Sequence, residues 1–266
     1  MLRGAFLTLA LSATAVTGFA QARTQPNTDC RDRMYSGGRE RAVFCENREE
    51  AFAGSGLLDV DASRNGGIRV RGWDRTEIRV VAQITAYADS DSRARAIAEA
   101  VRIETGGRIR ASGPDAGRGE SWNVSYQIDV PRDARLALNT NNGGITIEDF
   151  RGSATFRATN GGVSLTDVGG DIRGATTNGG LDIRLTGDRW EGAGLDVETR
   201  NGGVRMLVPE RYSAELETGT INGRVRIDFP VTITGTLDRS VRTTLGSGGA
   251  RVRAVTRNGG ITVQRR

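Results

Sequence analysis

Hydrophobic and polar residues alternate along most of the chain, and Asn-Gly-Gly tripeptides interrupt the alternation. Around Asn160, Phe156 and Ala158 lie four and two residues before the asparagine, and Val163 and Leu165 lie three and five residues after it. A period of two residues predicts β-strands with one buried face. We expect the same buried positions in other copies of the motif: Leu136, Leu138, Ile145 and Ile147; Leu195, Val197, Val204 and Met206; Val252, Ala254, Ile261 and Val263.

The tripeptides recur at a fixed spacing in the middle of the chain. Asn142, Asn160 and Asn178 are 18 residues apart each time. A fixed period with a fixed turn motif predicts a repeat architecture, and glycine accepts a positive φ at a corner without a steric cost. Further corners open at Asn65, Asn201 and Asn258, and an Asn-Gly-Arg variant opens at Asn222.

Two all-β folds fit this repeat: a parallel β-solenoid, or an antiparallel meander with Asn-Gly hairpin turns. The asparagine shares the parity of the buried residues before it, so the solenoid predicts inward amides that hydrogen-bond in a ladder. A hairpin tip would leave the asparagine in solvent. We therefore favour a parallel β-solenoid (β-helix) with a right-handed coil. A second polar rung is expected from the threonines two residues before each asparagine: Thr140, Thr176, Thr199, Thr220 and Thr256.

The N-terminus predicts export. Arg3 is followed by an apolar run from residue 5 to 16 and by Ala20-Gln21-Ala22, a pattern typical of a secretory signal peptide over residues 1–22. We expect a periplasmic or extracellular monomer with no transmembrane segment. After the leader we predict an irregular cysteine-containing segment (23–56), an N-terminal β region (57–138) with one capping helix at about 91–101, and the solenoid (139–266).

The chain has two cysteines, Cys30 and Cys45. In an oxidising compartment such a pair predicts a disulfide. The alternative of a zinc site is disfavoured because histidine is absent from the chain.

The amino-acid composition restricts which kinds of active site the chain can contain. All 37 basic residues are arginine, and the formal net charge is +5. A hydrolase triad would lack its histidine or lysine base, so we predict no catalytic residue, no metal site and no cofactor. Asp149 and Asp167 occupy equivalent corners, where we expect them to make turn hydrogen bonds. Arginine is mixed with acidic residues at outward positions, which argues against nucleic-acid binding.

Three sets of residues together resemble a known family. They are Cys-Glu-Asn-Arg-Glu at 45–49, Asn-Gly-Gly-Ile-Arg-Val-Arg-Gly-Trp-Asp at 65–74, and the Thr-x-Asn-Gly-Gly repeats. The chain resembles a bacterial β-strand-repeat family of unknown function whose members are described as candidate adhesins. The resemblance covers nearly the whole chain after the leader, implies a β-helical fold in the cell envelope, and carries over no active-site residue.

Three functions remain open from the sequence. The first is a non-catalytic, adhesin-like binding surface or scaffold, with an envelope glycan or envelope protein as partner. The second is a β-helical polysaccharide lyase acting on acidic glycans with an arginine base. The third is a structural or regulatory envelope protein without a ligand. The ligand-facing residues are not identified by the sequence.

Overall fold

A computed structural model describes residues 23–26, 41–54, 56–63, 65–230 and 239–266. Within these residues the chain forms twenty-one strands and one helix. The first part of the chain contains β1 (Arg23–Pro26), β2 (Ala42–Ala53), β3 (Leu57–Asp61), β4 (Ile68–Trp73), β5 (Glu77–Ala88), α1 (Asp91–Ala100), β6 (Arg102–Glu104), β7 (Arg108–Ser112) and β8 (Ser121–Pro131). The second part contains β9 (Arg135–Asn142), β10 (Ile145–Phe150), β11 (Ser153–Asn160), β12 (Val163–Val168), β13 (Asp171–Asn178), β14 (Leu181–Arg184), β15 (Gly194–Asn201), β16 (Val204–Val208), β17 (Ala214–Asn222), β18 (Val225–Ile227), β19 (Ser240–Leu245), β20 (Arg251–Asn258) and β21 (Ile261–Arg265).

The described strands form two sheets. Sheet A has the order β1-β2-β5-β8-β4-β10-β12-β14-β16-β21-β18, and sheet B has the order β19-β17-β20-β15-β13-β11-β9-β3-β7-β6. Each coil contributes one strand to sheet B, turns at an Asn-Gly-Gly corner, and contributes the next strand to sheet A. Most neighbouring strands are parallel, so the predicted all-β, solenoid-like class is confirmed. The hand of the coil stays a prediction.

Successive corners lie in register. Asn160 pairs with Asn142 on one side and with Asn178 on the other, and Val163 pairs with Leu181 in sheet A. An antiparallel meander would reverse every second strand, so that alternative does not describe these coils. The alternating residues predicted to be buried face the core between the sheets, as at Leu138, Ile147 and Val197.

The last coil of the chain is not the last coil in space. β20 and β21 lie between β15–β16 and β17–β18, so the C-terminal coil is inserted into the stack. β19 runs antiparallel along the outer edge of β17, and the chain then reverses through Gly246, Gly248 and Gly249, all at positive φ. The Ser-Gly-Gly at 247–249 therefore belongs to a reversal loop, which explains its irregular spacing from Asn258.

The N-terminal flank is more regular than expected. Residues 23–56 include β1 and the twelve-residue β2, which pairs antiparallel with β5, so the irregular segment predicted there is wrong for the described part. The alternation of β2 is weak because the strand is only partly covered. Cys45 is buried in β2, but Cys30 and the predicted leader lie outside the described residues, so the disulfide and the signal peptide stay predictions.

The helix α1 occupies the predicted position. Ser90 caps it by accepting a hydrogen bond from the Arg93 backbone. Its buried residues pack against β2 and β5, so the helix covers the antiparallel flank of sheet A and not the first coil. Arg48 donates to the carbonyls of Ala98 and Val101, which satisfies the C-terminal end of α1.

Candidate functional site

The asparagines of the corners form one continuous ladder along the rim between the sheets. Each side-chain Nδ2 donates to the Oδ1 of the asparagine one coil away, as from Asn160 to Asn142 at 2.7 Å and from Asn178 to Asn160 at 2.7 Å. All of these bonds run in the same direction along the stack. In spatial order the ladder contains Asn65, Asn142, Asn160, Asn178, Asn201, Asn258 and Asn222.

The ladder is exposed, so the prediction of inward, buried amides is wrong. Each strand ends at its asparagine and the chain bends at the following glycine, so the alternation that sets side-chain direction holds only as far as the threonine, two residues before the asparagine. These threonines are buried and form the predicted second rung. The Thr176 hydroxyl donates to the Gly161 carbonyl at 2.7 Å, and Thr140, Thr199, Thr220 and Thr256 bind the equivalent carbonyls at 2.7 to 2.9 Å.

One rung of the threonine series is missing at Ala158, which pairs with Thr140 and Thr176 in the neighbouring coils. By the same geometry a threonine there would reach the Gly143 carbonyl. We expect Ala158→Thr to add this bond and to raise the free energy of unfolding by about 1 kcal/mol. Ala158→Val adds the same volume without a hydroxyl and serves as the control. Urea unfolding of the three proteins measures the effect, and equal stability of the threonine and valine variants would contradict a hydrogen bond at this rung.

The two glycines of each corner have different roles. A Cβ on the first glycine would lie 2.0 to 2.1 Å from a carbonyl oxygen of the neighbouring coil at Gly143, Gly161 and Gly179. None of these three glycines has a positive φ, so the predicted reason for glycine is wrong: close approach of the coils excludes the side chain. The second glycine is exposed and faces outward, and a Cβ on Gly162 would lie 3.4 Å from the Gly180 carbonyl.

The bare second glycines open a groove on the outer face of sheet A. The groove has a volume of about 600 Å³ and crosses β10, β12, β14, β16 and β21. One row of side chains lines it next to the glycines, and paired strands bring this row into register. In spatial order the row contains Thr146, Ser164, Asp182, Arg205 and Thr262.

Only some of the charged side chains in this row have an ion-pair partner. Asp182 accepts a hydrogen bond from Arg184 at 3.0 Å and is therefore paired. Arg205 in the groove, and Arg69 and Arg226 at the two ends of the row, are exposed or half-buried and have no ion-pair partner among the described residues. The sequence had placed Arg205, Arg226 and Asp182 on a mixed solvated face. The sequence did not predict that these side chains line up in one row, because the row is defined by the glycine of each corner that points outward.

The opposite corner of the coils holds an arginine–aspartate cluster. Asp149 and Asp167 adopt positive φ values of 55° and 52° near the ends of β10 and β12, and the turn hydrogen bonds expected of them stay a prediction. Arg151 donates to the Asp167 carboxylate at 2.6 Å, to the Asp167 carbonyl at 2.6 Å, and to Glu191 at 3.3 Å. Burial raises the pKa of Asp167, but hydrogen bonds from Thr186 and Arg151 outweigh it, and the pKa is lowered overall. The cluster joins neighbouring coils.

The described residues contain no group of three histidine, cysteine or acidic side chains placed to hold a metal ion. In the described part of the chain, no helix has the length and hydrophobicity needed to cross a bilayer.

A family model matches most of the chain. The model described as Toastrack DUF4097 matches residues 55–264, and no curated protein matches. A solved candidate cell-adhesion protein of Clostridium sporogenes is 11% identical with a TM-score of 0.41, covering 83% of this chain and 100% of its own. Candidate adhesins of Bacteroides fragilis and Parabacteroides distasonis are each 8% identical, with TM-scores of 0.30 and 0.34; they cover 83% and 81% of this chain, and 97% and 96% of their own.

Proposed function

Because the chain belongs to the Toastrack DUF4097 family, whose model spans residues 55–264, we propose that it is an exported, non-catalytic binding protein or scaffold of the cell envelope. Its ligand-binding surface is the groove on the outer face of sheet A. An 18-residue Asn-Gly-Gly unit, repeated in a right-handed β-helix, builds this surface.

The observation that carries the proposal is the continuity of the groove across five strands. Neighbouring strands are about 4.8 Å apart, so four steps give a length of roughly 19 Å. The groove is floored by glycine backbone and by the short side chains of Thr146, Ser164 and Thr262. Hydroxyl and peptide groups at regular intervals suit a ligand that is itself extended and rich in hydroxyls. A single glycan chain has this chemistry.

The arginines of the row favour a glycan that carries negative charge. Arg69, Arg205 and Arg226 share the row and carry no compensating carboxylate partner within the described structure. Guanidinium groups bind carboxylates in a planar, bidentate manner, so repeated acidic groups on the ligand would meet them. We therefore expect an acidic polysaccharide, such as a uronate polymer, to bind more strongly than a neutral one.

The non-catalytic part of the proposal is supported by the state of the arginine–aspartate corner. A lyase needs an arginine free to remove a proton from the substrate. The donors of Arg151 are occupied by Asp167, Glu191 and backbone carbonyls, which hold the guanidinium in a structural position. Arg132 likewise binds Asp74 at 2.8 Å and the Asp149 carbonyl at 3.0 Å.

The test is retention on immobilised polygalacturonate, with dextran as the neutral control. We expect binding that weakens as sodium chloride is raised, because screening reduces attraction between exposed charges. Ser164→Tyr fills the groove and Arg205→Gln removes its charge, and each should lower affinity by at least about tenfold. The matched controls Thr155→Tyr and Arg157→Gln change exposed positions on sheet B and should bind normally.

Three results would overturn the proposal. Normal binding by Ser164→Tyr would show that the groove does not hold the polymer. Release of unsaturated sugars, followed by ultraviolet absorbance and lost in Arg151→Gln or in Arg205→Gln, would identify a lyase. Absence of retention on the acidic polymer at low salt would reject the acidic-glycan ligand, leaving a scaffold role.

A further inference from the structure

A separate pocket lies on the outer face of sheet B, at the end of the stack opposite α1. It has a volume of about 690 Å³, which is within the range of small-molecule sites. Its lining includes Gly219 of β17, which is buried, and the register partner of Gly219 in β20, Val255. Arg239 and Ser240, where β19 begins to pair with β17 opposite Gly219, form another wall.

One side of this pocket is apolar. Ile221 is 56% exposed and is one of two large hydrophobic residues that the described structure leaves in solvent. The half-buried Val255 lies in the same pocket, on the neighbouring strand. An exposed isoleucine beside a half-buried valine provides a surface that an apolar group can cover with a gain in free energy.

The other side is cationic. Arg257 lies beside Ile221 on the neighbouring strand, is exposed, and has no ion-pair or hydrogen-bond partner among the described side chains. Arg239 donates to the Ile221 carbonyl and so stands at the same wall. Arg253 differs from Arg257, because it is held by Asp196 at 2.5 Å and Glu217 at 3.5 Å.

Acidic and basic side chains therefore lie at different ends of the pocket. The acidic lining residue, Glu198, stands opposite Val255 in the register of β15 and β20, and it lies next to Arg253. Arg257 is nearer the corner, beside Arg200 of the next coil, which also lacks a partner within the described part of the chain. An anionic group is attracted to the Arg257 end and repelled from the Glu198 end.

We propose that this pocket binds a small anionic amphiphile, with a phosphate or carboxylate head and a short apolar tail. The head contacts the Arg257 guanidinium near the Asn-Gly-Gly corner. The tail covers Ile221 and Val255. The site shares no residue with the groove on sheet A, so it stands or falls independently of the polysaccharide ligand.

The experiment is calorimetric titration with octyl phosphate below its micelle concentration. Inorganic phosphate tests the head alone, and octyl glucoside tests the tail alone. We expect octyl phosphate to bind at least about tenfold more tightly than either probe, because both halves of the pocket are used. Arg257→Gln and Ile221→Ser should each lower its affinity by about tenfold or more.

The control variant is Arg157→Gln, which removes another exposed arginine of sheet B that has no ion-pair partner among the described residues. Its strand is three strands away from β20, roughly 14 Å, so its affinity should be unchanged. Equal affinity for octyl phosphate and inorganic phosphate would show an adventitious anion site only. Equal affinity for octyl glucoside, or normal binding by a folded Arg257→Gln protein, would likewise overturn the proposal. Circular dichroism verifies folding of each variant.

Discussion

Gly161→Ala is expected to lower the free energy of unfolding by at least about 3 kcal/mol, although it adds a single methyl group. The added Cβ would lie 2.0 Å from the Gly143 carbonyl oxygen, well inside van der Waals contact. Neither partner can rotate away, because both are backbone. Relief requires the two coils to separate, which stretches the ladder bond from Asn160 to Asn142 and the backbone bond from the Gly143 amide to the Asn160 carbonyl.

The control is the neighbouring glycine of the same corner. Gly162→Ala places its Cβ 3.4 Å from the Gly180 carbonyl, in ordinary contact, and should cost no more than about 1 kcal/mol. Urea unfolding followed by circular dichroism measures both changes. Similar losses for the two variants would mean that backbone entropy, and not the close approach of the coils, makes glycine necessary at these corners.

Phe156→Ala is expected to cost about 3–5 kcal/mol, since it removes a large side chain from the core. Phe156 is 5% exposed and pairs with Gly174 in the next coil. A Cβ on Gly174 would lie 2.4 Å from the phenylalanine ring, so the ring occupies the space that a side chain at position 174 would need. The two positions therefore form a large–small pair across neighbouring strands.

A double-mutant cycle tests this pairing. Gly174→Ala should be destabilising by about 2 kcal/mol in the native background, because the ring must move, and nearly neutral when Phe156 is alanine. The coupling between the two changes should therefore reach about 1–2 kcal/mol. The control is Ala175→Gly, on the opposite face of the same strand, which changes backbone entropy and should not couple to Phe156. Additive losses for the first pair would contradict the proposed fit.

The parallel coils were predictable because the buried positions around Asn142, Asn160 and Asn178 repeat with one phase. The order in which the coils stack in space was not predictable from the sequence. Corners at Asn201, Asn222 and Asn258 present the same asparagine contacts, so the interfaces between these coils are chemically alike. Local sequence therefore does not specify that β20–β21 inserts before β17–β18.

The candidate site was less accessible to prediction than the fold. Parity correctly placed Thr176 inside but wrongly placed Asn178 there, because the alternation of side-chain direction does not hold at the end of the strand, next to the corner. The groove depends on the outward direction of Gly162, which a tripeptide motif does not reveal. The sheet B pocket requires Ile221 and Arg257 to be neighbours, and only the inserted coil makes them so.

The variant corner at Asn222 limits the length of the molecule. A Cβ on Gly203 would lie 3.2 Å from the Gly260 carbonyl oxygen, and a Cβ on Gly260 would lie 3.8 Å from the Arg224 carbonyl oxygen. Arg224 occupies the second glycine position of the Asn222 corner and is exposed. A coil of another molecule stacked on this corner would desolvate a charged guanidinium, which costs free energy. A rod that carries glycine at every corner presents a template for end-to-end growth into filaments, and this arginine ends that series.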